Sequence, residues 1–97
     1  MYQVYITEPA EQDLEEIAEY IAIDNPYRAL SFIEEIQSTA LKVLSEFPKS
    51  GKRYKKSYCF PFHHYLIFYD VNDKQRTVAI HTIKHSGQYK AYRHLMK

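Results

Sequence analysis

The spacing of apolar residues changes its period twice along this chain, and these changes limit the folds that the chain can adopt. Tyr2, Val4 and Ile6 alternate with polar neighbours, as in a strand that packs one side on a core. From Ala10 to Phe47 apolar residues recur every three or four positions, as in amphipathic helices. Strand-like spacing returns in the second half, so the predicted order is strand, helices, strands.

Two helices are predicted in the first half, over residues 9–23 and 26–47. Pro9 suits a first helical turn, because the amide proton that it lacks would have no partner there. The sequence Asp24-Asn25-Pro26 ends the first helix and caps the second, since Asn25 can accept a backbone hydrogen bond. Pro48 ends the second helix. The short break between the two predicts an antiparallel helical hairpin.

The second half is predicted to supply most of a sheet. Residues 49–57 are basic around Gly51 and show no apolar period, which predicts a loop. Residues 58–62 are predicted as a short strand that Pro61 makes irregular or places at an edge. Residues 65–71 are apolar on both faces, which predicts a central strand, and 77–84 return as its hairpin partner. With the strand over 2–7, the fold class is α+β, a helical hairpin on a small, mainly antiparallel sheet in the order β-α-α-β-β-β.

Length and composition favour one cytoplasmic domain. The 97 residues suit a single domain over 1–97. No run approaches the roughly 20 apolar residues of a membrane span, and the N-terminus lacks a signal pattern, so a cytoplasmic location is expected. Cys59 is the only cysteine, which excludes an internal disulfide. His81 and His85 would lie about 13 Å apart on a strand, which argues against shared binding of a metal ion. No cofactor is expected.

Charge is divided unequally between the two halves. Residues 1–48 carry ten acidic and two basic side chains, a net charge of −8, whereas residues 49–97 carry eleven basic and two acidic ones, a net charge of +9. All five histidines also lie in the second half. This asymmetry predicts two surfaces of opposite sign. The acidic one is predicted to be the solvated side of the helices, which includes Glu11, Asp13, Glu15, Glu16, Glu19, Glu34 and Glu35.

Several patterns in this order resemble the RelE/ParE toxin superfamily over essentially the whole chain, and the ParE branch in particular. The patterns are Ala10-x-x-Asp13-Leu14-x-x-Ile17-x-x-Tyr20-Ile21, Pro26-x-x-Ala29-x-x-Phe32, Phe47-Pro48-x-x-Gly51, Tyr65-Leu66-Ile67-Phe68-Tyr69 and Ile80-x-x-Ile83-x-His85. The resemblance implies a toxin of a type II toxin–antitoxin module, which a cognate antitoxin neutralises in a hetero-oligomer. ParE-like members act on DNA gyrase, whereas RelE-like and YoeB-like members cut mRNA on the ribosome.

Three hypotheses about function follow. The first is a ParE-like gyrase inhibitor without catalysis of its own. The second is a metal-independent, ribosome-dependent mRNA endonuclease, which would need a base, an acid and cations at the phosphate. His63-His64 stand where many family members carry an arginine, and no His-Tyr pair ends the chain, so the first hypothesis is favoured. The third is a basic RNA-binding module. The candidate nuclease residues are His85, Lys84, Tyr89 and His64.

The basic segment is the candidate target-binding surface under each hypothesis. Interleaved aromatic and basic residues suit phosphate contact with base stacking, and they equally suit docking on an acidic protein. An antitoxin is expected to place acidic side chains against regions 49–56 and 81–93. The candidate target-binding residues are Lys52, Arg53, Tyr54, Lys55 and Lys56.

Overall fold

The computed structural model describes residues 1–88, which form two helices, five strands and a final 3-10 turn. Strand β1 (Gln3–Ile6) precedes helices α1 (Glu8–Asp24) and α2 (Pro26–Glu46). The strands that follow are β2 (Lys52–Tyr54), β3 (Ser57–Phe62), β4 (Tyr65–Asn72) and β5 (Thr77–His85), and Ser86–Gln88 form the 3-10 turn. No helix in this part of the chain has both the length and the apolar content that crossing a membrane requires.

The strands form one sheet in the order β1-β5-β4-β3-β2. Strand β1 runs parallel to β5. A parallel pair needs a long connection, and α1, α2 and three further strands separate β1 from β5 along the chain. The remaining pairs are antiparallel. The predicted α+β class and the helical hairpin on a mainly antiparallel sheet are therefore confirmed. The sheet has one strand more than predicted.

The helix break forms where the sequence predicts it. The side chain of Asn25 accepts a hydrogen bond from the backbone nitrogen of Arg28 at 3.0 Å, which caps α2. The backbone nitrogen of Asn25 donates to the carbonyl of Ile21 at 2.9 Å, which closes α1. One polar residue thus ends one helix and begins the next. The second helix ends one residue earlier than predicted, and Phe47 lies outside the core with 62% of its surface exposed.

The main core lies between the helical hairpin and one face of the sheet. Apolar side chains of both helices meet alternate residues of β4 and β5 there, as the helical and strand periods require. Ile67 and Phe68 are 0% and 4% exposed, which confirms the prediction of a central strand. The buried residues of this core are Ala10, Leu14, Ile17, Phe32, Ile36, Ala40, Leu44, Ile67, Tyr69, Val78, Ile80 and Ile83.

The opposite face of the sheet, here called the outer face, carries a second apolar cluster of Cys59, Leu66 and Phe68, against which Tyr54 packs. Cys59 is 1% exposed and is therefore buried in this cluster. Burial raises the pKa of its thiol to about 11, which keeps the thiol protonated near neutral pH.

The predicted loop over residues 49–57 is wrong, because most of it forms a β-hairpin. Strand β2 pairs with β3 from Lys52 opposite Cys59 to Tyr54 opposite Ser57, and the turn between them has Lys55 at a φ of 58°. A three-residue edge strand with exposed basic side chains has no apolar period to reveal it. The backbone hydrogen bonds of β3 determine the pairing instead.

Gly51 allows the chain to enter this hairpin close to the sheet. Its backbone nitrogen donates to the buried hydroxyl of Tyr69 at 3.0 Å. A Cβ atom at Gly51 would lie 2.6 Å from that hydroxyl and 2.7 Å from the carbonyl oxygen of Cys59. Glycine is required here for the close approach of two backbones.

Pro61 lies in the sheet without interrupting a strand pair. Strand β2 pairs with β3 only as far as Cys59, so β3 is locally the edge of the sheet at Pro61, as predicted. A proline at an edge needs no partner for a backbone amide.

Candidate functional site

A β-bulge in β5 determines which histidine faces the basic hairpin. Tyr69 pairs with Ile80 and Phe68 pairs with Thr82, so His81 is an extra residue between them. A bulge of this kind bends the strand and redirects a side chain.

His81 belongs to a polar cluster with Ser57 of β3 and Asp70 of β4. The Ser57 hydroxyl donates to Oδ1 of Asp70 at 2.7 Å and lies 3.2 Å from Nε2 of His81. The same Nε2 lies 3.8 Å from Oδ1 of Asp70. In a nucleophilic Ser-His-Asp triad the carboxylate holds the other ring nitrogen, so this cluster is not such a triad. No local sequence pattern marks Ser57 or Asp70, because only strand pairing brings them to His81.

The basic hairpin, defined as residues 52–56, borders this cluster. The ring of Tyr54 packs on Phe68 with centroids 5.4 Å apart, and the ammonium of Lys55 lies 5.6 Å from the centroid of Tyr54. Arg53 lies over the ring of Tyr58 at 5.0 Å. A pocket of about 250 Å³, here called the outer-face pocket, opens between the hairpin and β5 and is lined by Tyr54, Lys55, Ser57, Phe68, His81 and Thr82.

A larger cleft of about 400 Å³ lies between α1 and the end of β5 and is called here the α1–β5 cleft. Two candidate nuclease residues, Lys84 and His85, line it together with Tyr65 and the exposed Tyr20. Burial raises the pKa of Tyr65, so that its hydroxyl stays neutral. The cleft therefore combines aromatic rings with one cation, one imidazole and the carboxylates of Asp13 and Glu16.

Asp13 holds the β5 side of this cleft in place. Strand β1 pairs with β5 only up to Ile80, and the carboxylate of Asp13 covers part of the edge left open beyond it. It accepts hydrogen bonds from the Thr82 hydroxyl at 2.8 Å, the backbone nitrogen of Ile83 at 2.9 Å and the ammonium of Lys84 at 3.4 Å. The side chain of Asp13 is 14% exposed, so its prediction as part of the solvated acidic side is wrong.

The helical spacing contained a signal for this role. Asp13 follows Ala10 by three residues and precedes Ile17 by four, which places it beside the apolar side of α1. A carboxylate at such a position needs hydrogen-bond donors from another element.

His63 and His64, which lie between β3 and β4, contact different neighbours. His64 stacks on His85 with ring centroids 6.4 Å apart, so the structure brings these two candidates together. His63 packs against Phe32 and Phe62 instead, with its Nε2 3.8 Å from Oε2 of Glu35. Nδ1 of His85 accepts from the backbone nitrogen of Gly87 at 3.1 Å. Tyr89, the remaining candidate, lies outside the described residues.

The predicted nuclease residues and the predicted basic surface are separated along the sheet. Lys84 pairs with Leu66, whereas the hairpin turn adjoins Ser57, whose hydroxyl contacts Asp70. Leu66 and Asp70 are four residues apart on β4, which corresponds to about 13 Å. This spacing does not favour contact of one phosphate group with both His85 and the hairpin turn. The imidazole near the hairpin is that of His81. Within residues 1–88, no three metal-binding side chains form a cluster that could hold an ion.

Comparison with known proteins identifies the family. A family model described as the ParE toxin of the type II toxin–antitoxin system parDE matches residues 4–89. The chain belongs to this ParE toxin family. The resemblance to the RelE/ParE superfamily, and to its ParE branch, is thereby confirmed.

Solved structures share the fold of this ParE-family toxin. The chromosomal ParDE system of P. aeruginosa has 18% sequence identity and a TM-score of 0.73, with 88% of this chain and 96% of that chain covered. The RelBE2 toxin–antitoxin complex of Mycobacterium tuberculosis has 22% identity and a TM-score of 0.65, with 87% and 90% covered. A mutant of E. coli RelE in the free state has 16% identity and a TM-score of 0.65, with 98% and 94% covered. No curated protein sequence matches the chain.

Proposed function

We propose that this protein is a single-domain cytoplasmic toxin that inhibits growth by acting on DNA gyrase, without catalysis of its own, and that a cognate antitoxin neutralises it. The match to the ParE toxin model over residues 4–89 carries this proposal. The basic hairpin is the target-binding surface, because Lys52, Arg53, Lys55 and Lys56 are all exposed and Tyr54 is held against Phe68.

The positions of the candidate nuclease residues favour action by binding. A metal-independent nuclease needs its base, acid and cations within hydrogen-bond distance of one reacting group. Here Lys84 is held by Asp13 at the edge of β5, and His64 and His85 stack at the far end of the sheet from the hairpin turn. These residues are separated along β4 from the turn of the basic hairpin, which does not favour a shared phosphate.

A second candidate function, mRNA cleavage on the ribosome, is favoured by the outer-face pocket. Lys55, His81 and the Ser57 hydroxyl line it beside an aromatic ring, which is the set of groups needed to hold a phosphate and a base. In this alternative His81 takes the proton-transfer role, rather than His85.

An antitoxin partner is supported by the similar structures, two of which are described as toxin–antitoxin systems or complexes. The charge of the second half, +9, favours an acidic antitoxin segment over the basic hairpin. Contacts beyond Gln88, within the predicted 81–93 region, lie outside the described residues.

One experiment separates the candidates. The toxin is induced in cells, and DNA breaks, plasmid supercoiling and mRNA 5′ ends are mapped over time, with purified gyrase assayed in parallel. Gyrase-linked breaks and a direct effect on supercoiling, without mRNA cuts at codon-defined positions, support the proposal. Codon-positioned cuts that His81→Ala abolishes would overturn it in favour of the nuclease. RNA binding with neither effect would support a basic RNA-binding module.

A further inference from the structure

The end of β5 is joined to the turn between β3 and β4 by contacts that involve two histidines. The backbone nitrogen of Ser86 donates to the carbonyl of His64 at 2.8 Å. The rings of His64 and His85 stack with their centroids 6.4 Å apart and an angle of 26° between their planes. Nδ1 of His85 also accepts a hydrogen bond from the backbone nitrogen of Gly87 at 3.1 Å, within the final 3-10 turn. Two of these three contacts therefore depend on imidazole rings.

The two ring contacts are formed best when the imidazoles are uncharged. A ring nitrogen that accepts a hydrogen bond carries no proton, so the neutral ring of His85 has its proton on Nε2. An imidazole generally gains its second proton between about pH 8 and 5, and imidazolium has no acceptor nitrogen left. Two stacked imidazolium rings also repel each other, because like charges lie close together. Acid therefore removes the bond from Gly87 and opposes the stack.

The charged and titratable groups around His85 come from β5, β4, the turn between β3 and β4, and α1. They are Lys84, Tyr65, His64, Asp13, Glu16 and Tyr20. The ammonium of Lys84 is already paired with Asp13 at 3.4 Å. Glu16 is exposed, and within residues 1–88 it forms no ion pair. The α1–β5 cleft thus holds one carboxylate that has no charged partner in the described part of the chain.

We propose that His85 is a pH-sensitive switch at the end of β5. The neutral ring stacks on His64 and holds the amide of Gly87. The charged ring leaves His64 and turns across the α1–β5 cleft toward Glu16, which frees the Gly87 amide and loosens the 3-10 turn. Repulsion from His64 and attraction by Glu16 act on the charged ring in the same direction. This switch goes beyond the proposed function, which gives the α1–β5 cleft no role.

A metal ion shared by His64 and His85 explains the pair less well than a switch does. An imidazole that binds a metal usually donates its other ring N–H to a neighbour, whereas Nδ1 of His85 accepts. His63, in the same turn, is not a second switch of this kind. Its Nε2 already lies 3.8 Å from Oε2 of Glu35, so charging the ring strengthens an existing contact.

Nuclear magnetic resonance of the full chain between about pH 8 and 5 tests the proposal. At the upper pH, proton–nitrogen correlation spectra should show the proton of His85 on Nε2. As His85 gains its second proton, the amide proton resonance of Gly87 should move upfield with the same midpoint. Exchange of that amide with solvent, corrected for its intrinsic pH dependence, should become about two- to tenfold faster, as loss of one hydrogen bond predicts.

Matched variants identify the groups that act on the switch. In His85→Asn the side-chain oxygen can accept from the amide two residues on and never becomes charged, so the Gly87 resonance should not change with pH. Glu16→Gln should move the midpoint to lower pH, because the charged ring loses its opposite charge. His64→Asn should move the midpoint to higher pH, because a like charge is removed. The control is His81→Asn, which changes the imidazole beside Ser57 and should leave the midpoint unaltered.

Several outcomes would overturn the proposal. A Gly87 resonance that stays in place over the whole pH range, or moves equally in His85→Asn, would exclude His85 as the switch. A midpoint that Glu16→Gln leaves unaltered would exclude Glu16 as the partner of the charged ring. Equal shifts in His64→Asn and His81→Asn would indicate a general effect of charge. Thermal melts of each variant check that the fold is retained, and none of these readouts depends on gyrase or ribosome activity.

Discussion

The side chain of Asp13 connects α1 to the end of β5. Its carboxylate accepts three hydrogen bonds from consecutive residues of β5, including the backbone amide of Ile83. Asp13→Ala should lower the free energy of unfolding by about 1–3 kcal/mol, because a largely buried amide would lose its partner. Urea denaturation measures this change. Glu16→Ala, at an exposed position of the same helix, should change stability by about 0.5 kcal/mol or less. Equal effects of the two substitutions would show that the hydrogen bonds contribute nothing specific.

A prediction of the opposite kind concerns Gly51, where adding one methyl group should lower the free energy of unfolding. In Gly51→Ala the new Cβ would meet the carbonyl oxygen of Cys59, which cannot move without disturbing the β2–β3 pairing. We expect a loss of about 1–3 kcal/mol, the usual cost of overpacking. Gly87→Ala is the control, because its nearest neighbours are ring atoms of the exposed His85 at 3.1 and 3.3 Å, which can rotate away. Thermal melts that shift equally for both would contradict this account.

The basic hairpin is the element on which the proposed toxicity depends. Replacing Lys52, Arg53, Lys55 and Lys56 with alanine should reduce growth arrest, because these cations are the proposed contacts with the target. Stability should change by about 0.5 kcal/mol or less per exposed substitution. Growth curves after induction measure the effect, with Lys42→Ala combined with Lys74→Ala as a control for lost positive charge elsewhere. Undiminished arrest by a folded variant would leave the hairpin without a role in toxicity.

The stability of the whole molecule should depend on pH through a contact among three distant segments. Lys49 donates to Asp73 at 2.8 Å and the Tyr2 hydroxyl donates at 2.7 Å, and these hydrogen bonds lower the pKa of Asp73 below 3.8. A lowered carboxyl pKa contributes stability that is fully present above the unfolded pKa and is lost as pH falls through the folded value. Asp73→Asn should therefore flatten the acid side of a plot of melting temperature against pH. Lys49→Met should do the same. If the acid side of this plot is unchanged in both variants, the lowered pKa of Asp73 does not contribute to stability.

Charge asymmetry should also be visible in the kinetics of antitoxin binding. If an acidic antitoxin segment lies on the basic half, salt should slow association more than it accelerates dissociation, because charges steer encounter while apolar anchors supply most of the affinity. A stopped-flow series from low to high salt with the cognate antitoxin measures both rates. An association rate that does not change with salt would refute the steering argument and leave the family assignment unaffected.

The sequence by itself determined the features that depend on the local period of apolar residues. The helical hairpin broken at Asn25, the central strand with Ile67 and Phe68 buried, and the ParE-like order of motifs were all predicted from the chain. Local propensity and burial act in the same direction at these places, so the spacing of apolar residues is a sufficient signal.

Tertiary structure decided which side chains meet. The hydrogen bond from Ile83 to Asp13 joins residues seventy positions apart, and the bulge at His81 depends on the register of two strands. Strand β2 exists because β3 offers it a backbone edge, although its own residues carry no apolar period. Such contacts depend on pairing between distant segments, which no local pattern encodes. The sequence could therefore supply candidate residues for a site, while only the fold could place His81 beside the basic hairpin and His85 away from its turn.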